Sequence, residues 1–412
     1  MRRTISFLLL FFYFAVAKSQ PSDFSTEERI YKDDLRSVQF HQLGRPLSYP
    51  ITDLSGQQLE LSFDGLSDEA QDFRYTIVHC DATWQPSSEI SHHDYIGGFK
   101  EDYIRIYDYS NNTLVPYVHY HLTMPNDNMR PTLSGNYVLL VYDDDEQLVL
   151  VRRFIVVKPV WNIEANLVSV NELERSDTHQ ELRFKIKGVD QVRNPRLEVT
   201  ATVLQNFRWD NALQGIRPLM ANQREISFEH IGKMVFAAGN EFRHADLMIL
   251  GGRSNRVVEL YRHETIEAEL INDDIRQGTP DLVTLDINGR FRTNNALESD
   301  YVKVRFSLRK DFPFEENTKV YVFGELSDWK IDERFEMAFD AVTQNYRAEV
   351  LLKQGFYNYC YVTTSKTEPN IPNVEETEGN SYRTLNEYIV IVYHRPFGQR
   401  YDSIIAYTNV RQ

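Results

Sequence analysis

Three adjacent residues, His79, Cys80 and Asp81, are of the types from which a cysteine nucleophile, its base and an orienting carboxylate are assembled. They stand in FRYTIVHCDATWQPS, Phe73–Ser87, just ahead of a Trp-x-Pro turn at Trp84–Pro86. The stretch reads as a strand, and successive side chains on a strand point to opposite faces. Phe73, Tyr75, Ile77 and His79 then share one face, and Arg74, Thr76, Val78 and Cys80 the other. A base must come within hydrogen-bond reach of its nucleophile, so His79 does not activate Cys80. The expectation is a buried thiol, with His79 and Asp81 in polar contacts where the strand enters a turn. The second cysteine, Cys360, is distant in sequence, and without a disulfide-framework pattern the two read as separate buried thiols.

His119 and His121, two residues apart on one strand face, are the best-spaced metal candidates. A cupin-type site needs a Glu a few residues on, where Met124-Pro125-Asn126 stands instead, so they read as surface or rim histidines. His92 and His93 split across strand faces. Asp143–Glu146 lacks the spaced ligands of a calcium loop and reads as a hairpin tip. Asp286-x-Asn288-Gly289 begins like an EF-hand loop, but Arg290 and Arg292 follow where ligands belong, which makes it a turn. There is no G-x-S-x-G, H-E-x-x-H, P-loop or dinucleotide fingerprint. The residues therefore point to no catalytic, cofactor or metal site, and to no enzyme.

The elements that would position these groups are strands. Leu59, Leu61 and Phe63 alternate with polar residues, as do Ile104 and Ile106 within Tyr103–Tyr107. Tyr137–Tyr142 and Val149–Val157 are near-continuous apolar runs, the second broken only by Arg152 and Arg153. Leu182, Phe184 and Ile186, then Leu197, Val199, Ala201 and Val203, alternate again, followed by strands near Glu225–Phe228, Val235–Ala238, Leu247–Leu250 and Val257–Tyr261. Val302–Leu308, Lys319–Gly324, Tyr346–Tyr361 and Tyr388–Tyr393 complete the set, and no window has sustained helical periodicity. The fold class is all-β, a string of tandem β-sandwiches of immunoglobulin-like or early-set-like kind. The expected division is a signal peptide over 1–19, an N-terminal sandwich over 20–158, a second over 159–280 and a C-terminal early-set-like sandwich over 281–412.

The leader carries Arg2 and Arg3, then the apolar run Ile5–Val16, then small residues at Ala15, Ala17 and Ser19, and has no cysteine for lipidation. An apolar run this short does not span a bilayer. The chain has 412 residues and a formal charge of −15, which disfavours nucleic acid and anionic membrane surfaces and points to protein or neutral partners, with no direct membrane insertion.

Two resemblances follow from longer strings. VYVFGELSDW (Val320–Trp329), Met337 and LLKQGFYNYCY (Leu351–Tyr361) look like the glycogen- and starch-binding early-set module. Cys360 stands where that module has a Lys and no Asp-Gly-x-Trp follows, so the likeness speaks for the fold, and Trp329 and Tyr359 read as core and hairpin-packing residues. Second, an ordered set resembles the plug protein family of the type IX secretion system of the Bacteroidota. The set is FRYTIVHCDATWQPS, LSGNYVLLVYDDD (Leu133–Asp145), LQNFRWD (Leu204–Asp210), FAAGNEFR (Phe236–Arg243), VFGELSDW (Val322–Trp329), LLKQGFYNYCY and VYHRPFGQRYD (Val392–Asp402). The resemblance implies a non-enzymatic periplasmic protein that binds the giant outer-membrane β-barrel translocon and closes its periplasmic opening at rest. A carbohydrate-binding protein using the 320–361 module is the alternative.

Overall fold

Strands supply nearly the whole of the computed structural model, which describes residues 24–189, 192–250, 256–276, 286–294 and 297–411. The expected leader over 1–19 and the expected boundary at 280/281 lie outside these residues. Strand makes up 48% and helix 5%, in line with the all-β sandwich class.

In the first sandwich, Leu35–Gln42, Leu59–Gly65, Val118–Met124 and Ile106–Tyr109 form a four-stranded sheet. It faces a six-stranded sheet led by Arg74–Cys80, Gly135–Tyr142 and Leu148–Val157. Period-two patterning decides which side chains meet between them: Leu59, Leu61 and Phe63 from one sheet pack on Tyr75, Ile77, Tyr137 and Leu139 from the other. Asp143–Glu146 closes the hairpin between Gly135–Tyr142 and Leu148–Val157, with Asp143 N–H donating to Gln147 O at 3.0 Å. Ile104 and Ile106 do not share a strand. Asp102–Tyr103 pairs in the six-stranded sheet and Ile106–Tyr109 in the four-stranded one, so Ile104 is buried and Ile106 exposed as the chain crosses between layers.

Strand pairing cuts across the linear division expected above. Asn162–Val168 and His179–Lys187 face a sheet in which Val199–Gln205 pairs with Glu387–His394, itself paired with Ser403–Arg411. The last strands of the chain thus complete the second sandwich. Conversely Arg243–Asp246 pairs with Gly355–Thr364, and Ile266–Leu270 pairs in parallel with Tyr301–Arg309, so residues before 280 belong to the third sheet. Alternation identifies strands but not partners, and sequence neighbours here are often not spatial ones. Two strand positions also shift. Leu197 lies in a single-turn helix, Pro195–Glu198, rather than on the strand that follows, and the strand expected near Leu247–Leu250 is Arg243–Asp246.

Between the first two sandwiches is a further apolar seam. Ile51, Ile155 and Val157 pack on Leu204, Ile389, Ile391, Tyr393 and Ile404, all buried. An apolar seam of this kind holds sandwiches as one body, where a polar one would leave them free to move.

Candidate functional site

His79 and Cys80 point to opposite sides of their strand. His79 is fully buried in a cage of Tyr95, Tyr137 and Tyr401, with ring centroids 5.9, 5.0 and 5.5 Å away. Its Nε2–H donates to Ser134 O at 3.2 Å, which leaves Nδ1 to accept from the Ser87 hydroxyl at 2.8 Å. Burial pushes this imidazole down to about 4, so it stays neutral. Gly135 is required beside it: its φ is +154°, and a Cβ there would come within 2.2 Å of Nε2. Cys80 faces the other way into a pocket of Trp84, Val138, Leu140 and Val151, and burial pushes its thiol up to about 12. An inert thiol and a neutral, doubly hydrogen-bonded imidazole facing away from it do no nucleophilic chemistry together.

Asp81 builds the turn. Its Oδ1 accepts from Thr83 N–H at 2.8 Å, the Thr83 hydroxyl at 2.8 Å and Gln85 N–H at 3.0 Å. This Asx turn sets Trp84 at φ +66°, a left-handed conformation that a bulky residue rarely takes. The Trp84 ring, packed on Val138, Leu140 and Val151 of its own sheet, there also meets Trp209 of the second sandwich, edge to face, with centroids 4.7 Å apart. The Arg153 guanidinium covers both, 4.4 Å from the Trp84 centroid and 5.3 Å from that of Trp209. Ala82 N–H donates to Asp402 Oδ2 at 2.9 Å, which ties the same turn to the returning C-terminal segment.

The same device continues into the third sandwich. Phe207, at φ +56°, stacks on Tyr49 at 4.4 Å, and Arg290 lies 4.8 Å from the Tyr49 centroid. Arg208 lies 4.8 Å from the Trp329 centroid and 5.3 Å from that of Phe323, and is neutralised by Asp210 at 2.6 Å. Trp329 and its neighbour Asp328 are left-handed as well, and Asp328 receives Arg152 at 2.8 Å. Three bulky aromatics, Trp84, Phe207 and Trp329, thus hold costly backbone conformations at one junction of three sandwiches. Arg208 covers one face of Trp329, while Phe242 and Phe323 meet it at steep angles and Gly289 abuts its rim. This placement is of a fastening residue rather than a platform on which a pyranose stacks. Tyr359 and Cys360 are buried, and burial raises the Cys360 thiol.

His119 and His121 share a face, with rings 4.2 Å apart, but His119 is buried and not a rim residue. Its Nδ1 bonds Asp64 from the neighbouring strand, and Asp64 Oδ2 also takes Lys353 Nζ and the Tyr301 hydroxyl, each at 2.7 Å. Lys353 and Tyr301 belong to the third sandwich, so this is a second fastening between lobes. Asp64 is thus engaged by His119 on one oxygen and by the Lys353 ammonium on the other, and burial lowers the lysine pKa despite the opposing pull of Asp64. Among the described residues no cluster of His, Cys, Asp and Glu is arranged to hold a metal. His92 and His93 lie on a single-turn helix, His92–Tyr95. Asp286 caps its own turn, accepting from Asn288 N–H at 2.6 Å and Phe242 N–H at 2.7 Å, and burial with the Glu241 carboxyl raises it to about 8. Asp64, Lys353 and Tyr301 escape sequence reasoning, because each lies in a strand whose partner lobe no pattern names. Arg152 and Arg153 gave a signal: two guanidiniums in a buried apolar run must meet something.

The junction, its enclosed ion pairs and the seam define a multi-sandwich protein built as a single body. A model of the first domain of the type 9 secretion system plug protein matches residues 35–158. Among solved structures, a hypothetical protein from Parabacteroides merdae ATCC 43184 is 32% identical over 93% of this chain and 99% of that one, with a TM-score of 0.87. No curated protein matches. The chain belongs to the type IX secretion system plug family. Membership ties it to type IX secretion, to a partner within that system and to the cell envelope. Among the described residues no helix is long and apolar enough to cross a membrane.

Proposed function

We propose that this chain is a non-enzymatic periplasmic plug, exported by its 1–19 leader, that docks on the giant outer-membrane β-barrel translocon of type IX secretion. It closes the periplasmic opening while the channel is idle. The observation that carries the reading beyond family membership is the fastening of three sandwiches into one body. The buried seam Ile51–Ile389–Ile404, the Trp84–Arg153–Trp209 contact and the Asp64–Lys353 pair all cross between lobes. A stopper works by steric occlusion and must not hinge under load. Release when cargo arrives favours a polar, reversible interface over an obligate apolar one.

Affinity purification of the tagged full chain from native membranes tests the docking step. The giant barrel should co-elute; a barrel that stays intact in the membrane fraction and never accompanies the chain contradicts the reading.

A further inference from the structure

The second sandwich ends in a tip where three segments meet: the single-turn helix Pro195–Glu198, residues 215–224 with the short strand Met220–Ala221 paired to Glu225–Ser227, and residues 229–233. Hydrogen bonds hold the loops together. Arg196 Nη2 donates to Leu219 O at 3.1 Å, Arg217 Nη1 to Leu197 O at 2.9 Å, and His230 Nε2 to Arg217 O at 2.8 Å. From this frame Leu197, Met220 and Ile231 project into solvent at 72%, 68% and 65% exposure. Three large aliphatic side chains standing clear of one tip are costly to leave in water without a use.

The charge around them runs against that of the whole molecule. The chain carries −15, yet Arg193, Arg196, Arg217, Arg224 and Lys233 all lie exposed on this tip. Of the acids nearby, Glu229 pairs with Lys185 at 3.2 Å, Glu198 faces His394 at 3.8 Å, buried Glu181 takes Arg183 at 3.1 Å, and Glu225, next to Arg224, stands opposite Lys187 on the paired strand. Screening has a length of about 8 Å at physiological ionic strength, so an approaching surface meets the charge of the tip rather than the net charge of the protein.

We propose that this tip is a peripheral docking site for an anionic lipid surface, in which Leu197, Met220 and Ile231 enter the headgroup layer and the five cations meet lipid phosphates. The pattern of apolar projections ringed by Arg and Lys is that of interfacial binding, with nothing spanning the bilayer. A protein partner fits less well. None of the three projecting residues is Trp or Tyr, the usual interface anchors, and the tip offers fewer than the roughly 20–30 residues of a standard interface. For a protein whose system works at the outer membrane, such a contact would set its orientation beside the bilayer. The inference stands apart from the translocon reading, because its test contains no translocon.

The test is co-sedimentation of the full-length chain with vesicles of phosphatidylglycerol and phosphatidylethanolamine in equal parts, against phosphatidylcholine vesicles. Each cation near an anionic surface strengthens binding by a factor of about five. The chain should sediment with the anionic vesicles only, and raised salt should weaken it. The double variant Arg224→Glu/Lys233→Glu should bind at least about tenfold more weakly. Leu197→Ser/Ile231→Ser, which keeps every charge, should also lose binding, while Arg45→Glu/Arg292→Glu, away from the tip, should not. Absence of sedimentation, or sedimentation that both tip variants retain, overturns the proposal.

Discussion

Arg153, on a strand of the first sandwich, places its guanidinium 5.3 Å from the ring centroid of Trp209 in the second. The same group lies 4.4 Å from Trp84, and its Nε donates to Thr26 O at 2.9 Å. Glu28 bonds the Arg153 backbone N–H at 3.1 Å rather than its guanidinium, so the cation at the centre of the aromatic pair depends on those rings for its stabilisation. Burial accordingly lowers the Arg153 pKa, with Glu28 the largest opposing charge.

Arg153→Met keeps the length and loses the charge. It should destabilise the chain by about 2 kcal/mol, the size of a desolvated cation–π contact, read as a lower urea midpoint.

Lys353→Met should cost more, because it leaves Asp64 buried without its ammonium. The expected loss is about 3–5 kcal/mol. Pairing it with Asp64→Asn should recover most of that, and a double-mutant cycle in urea measures the coupling.

His79 makes stability depend on pH. Its native pKa of about 4 lies below the ordinary 6.5, so the unfolded state takes up the proton first. The contribution is present above pH 6.5 and is lost as pH falls towards 4, to a total of about 3 kcal/mol. His79→Gln should flatten the stability profile in that window relative to the parent, and an unchanged slope would show that His79 is not the group responsible.

Neither thiol should react in the native state. Cys80 and Cys360 are both free and buried, with thiols held above their ordinary range. Ellman's reagent at pH 8 should find none in the folded chain and two after guanidinium unfolding.

How much of this was legible in the sequence follows from what patterning encodes. Strand alternation separated His79 from Cys80, and that separation rests on local geometry alone. It also marked Leu59–Phe63 and Val302–Leu308 as core-facing. The return of Glu387–His394 to Val199–Gln205 was not legible, because pairing across so many residues leaves no local mark. Nor were the left-handed Trp84, Phe207 and Trp329, since residue type argues against that conformation and only the junction imposes it. Several of the family strings contribute the residues of the junction: Trp84 and Asp81, Phe207 to Trp209, Phe323 and Trp329, Asp402. Lys353, in another string, makes the second fastening. The tip carrying Leu197 is hidden for a simpler reason: Leu197 continues the alternation of Val199, Ala201 and Val203 and reads as part of that strand, whereas it lies in the helix before it.

We propose that the chain seals the translocon at rest. Uptake of vancomycin, too large to cross an intact outer membrane, tests it in strains lacking the chain, the translocon, or both. Loss of the chain should raise uptake when the translocon is present and leave it at the parental level when the translocon is also absent. Equal leakage in the two backgrounds would contradict the account.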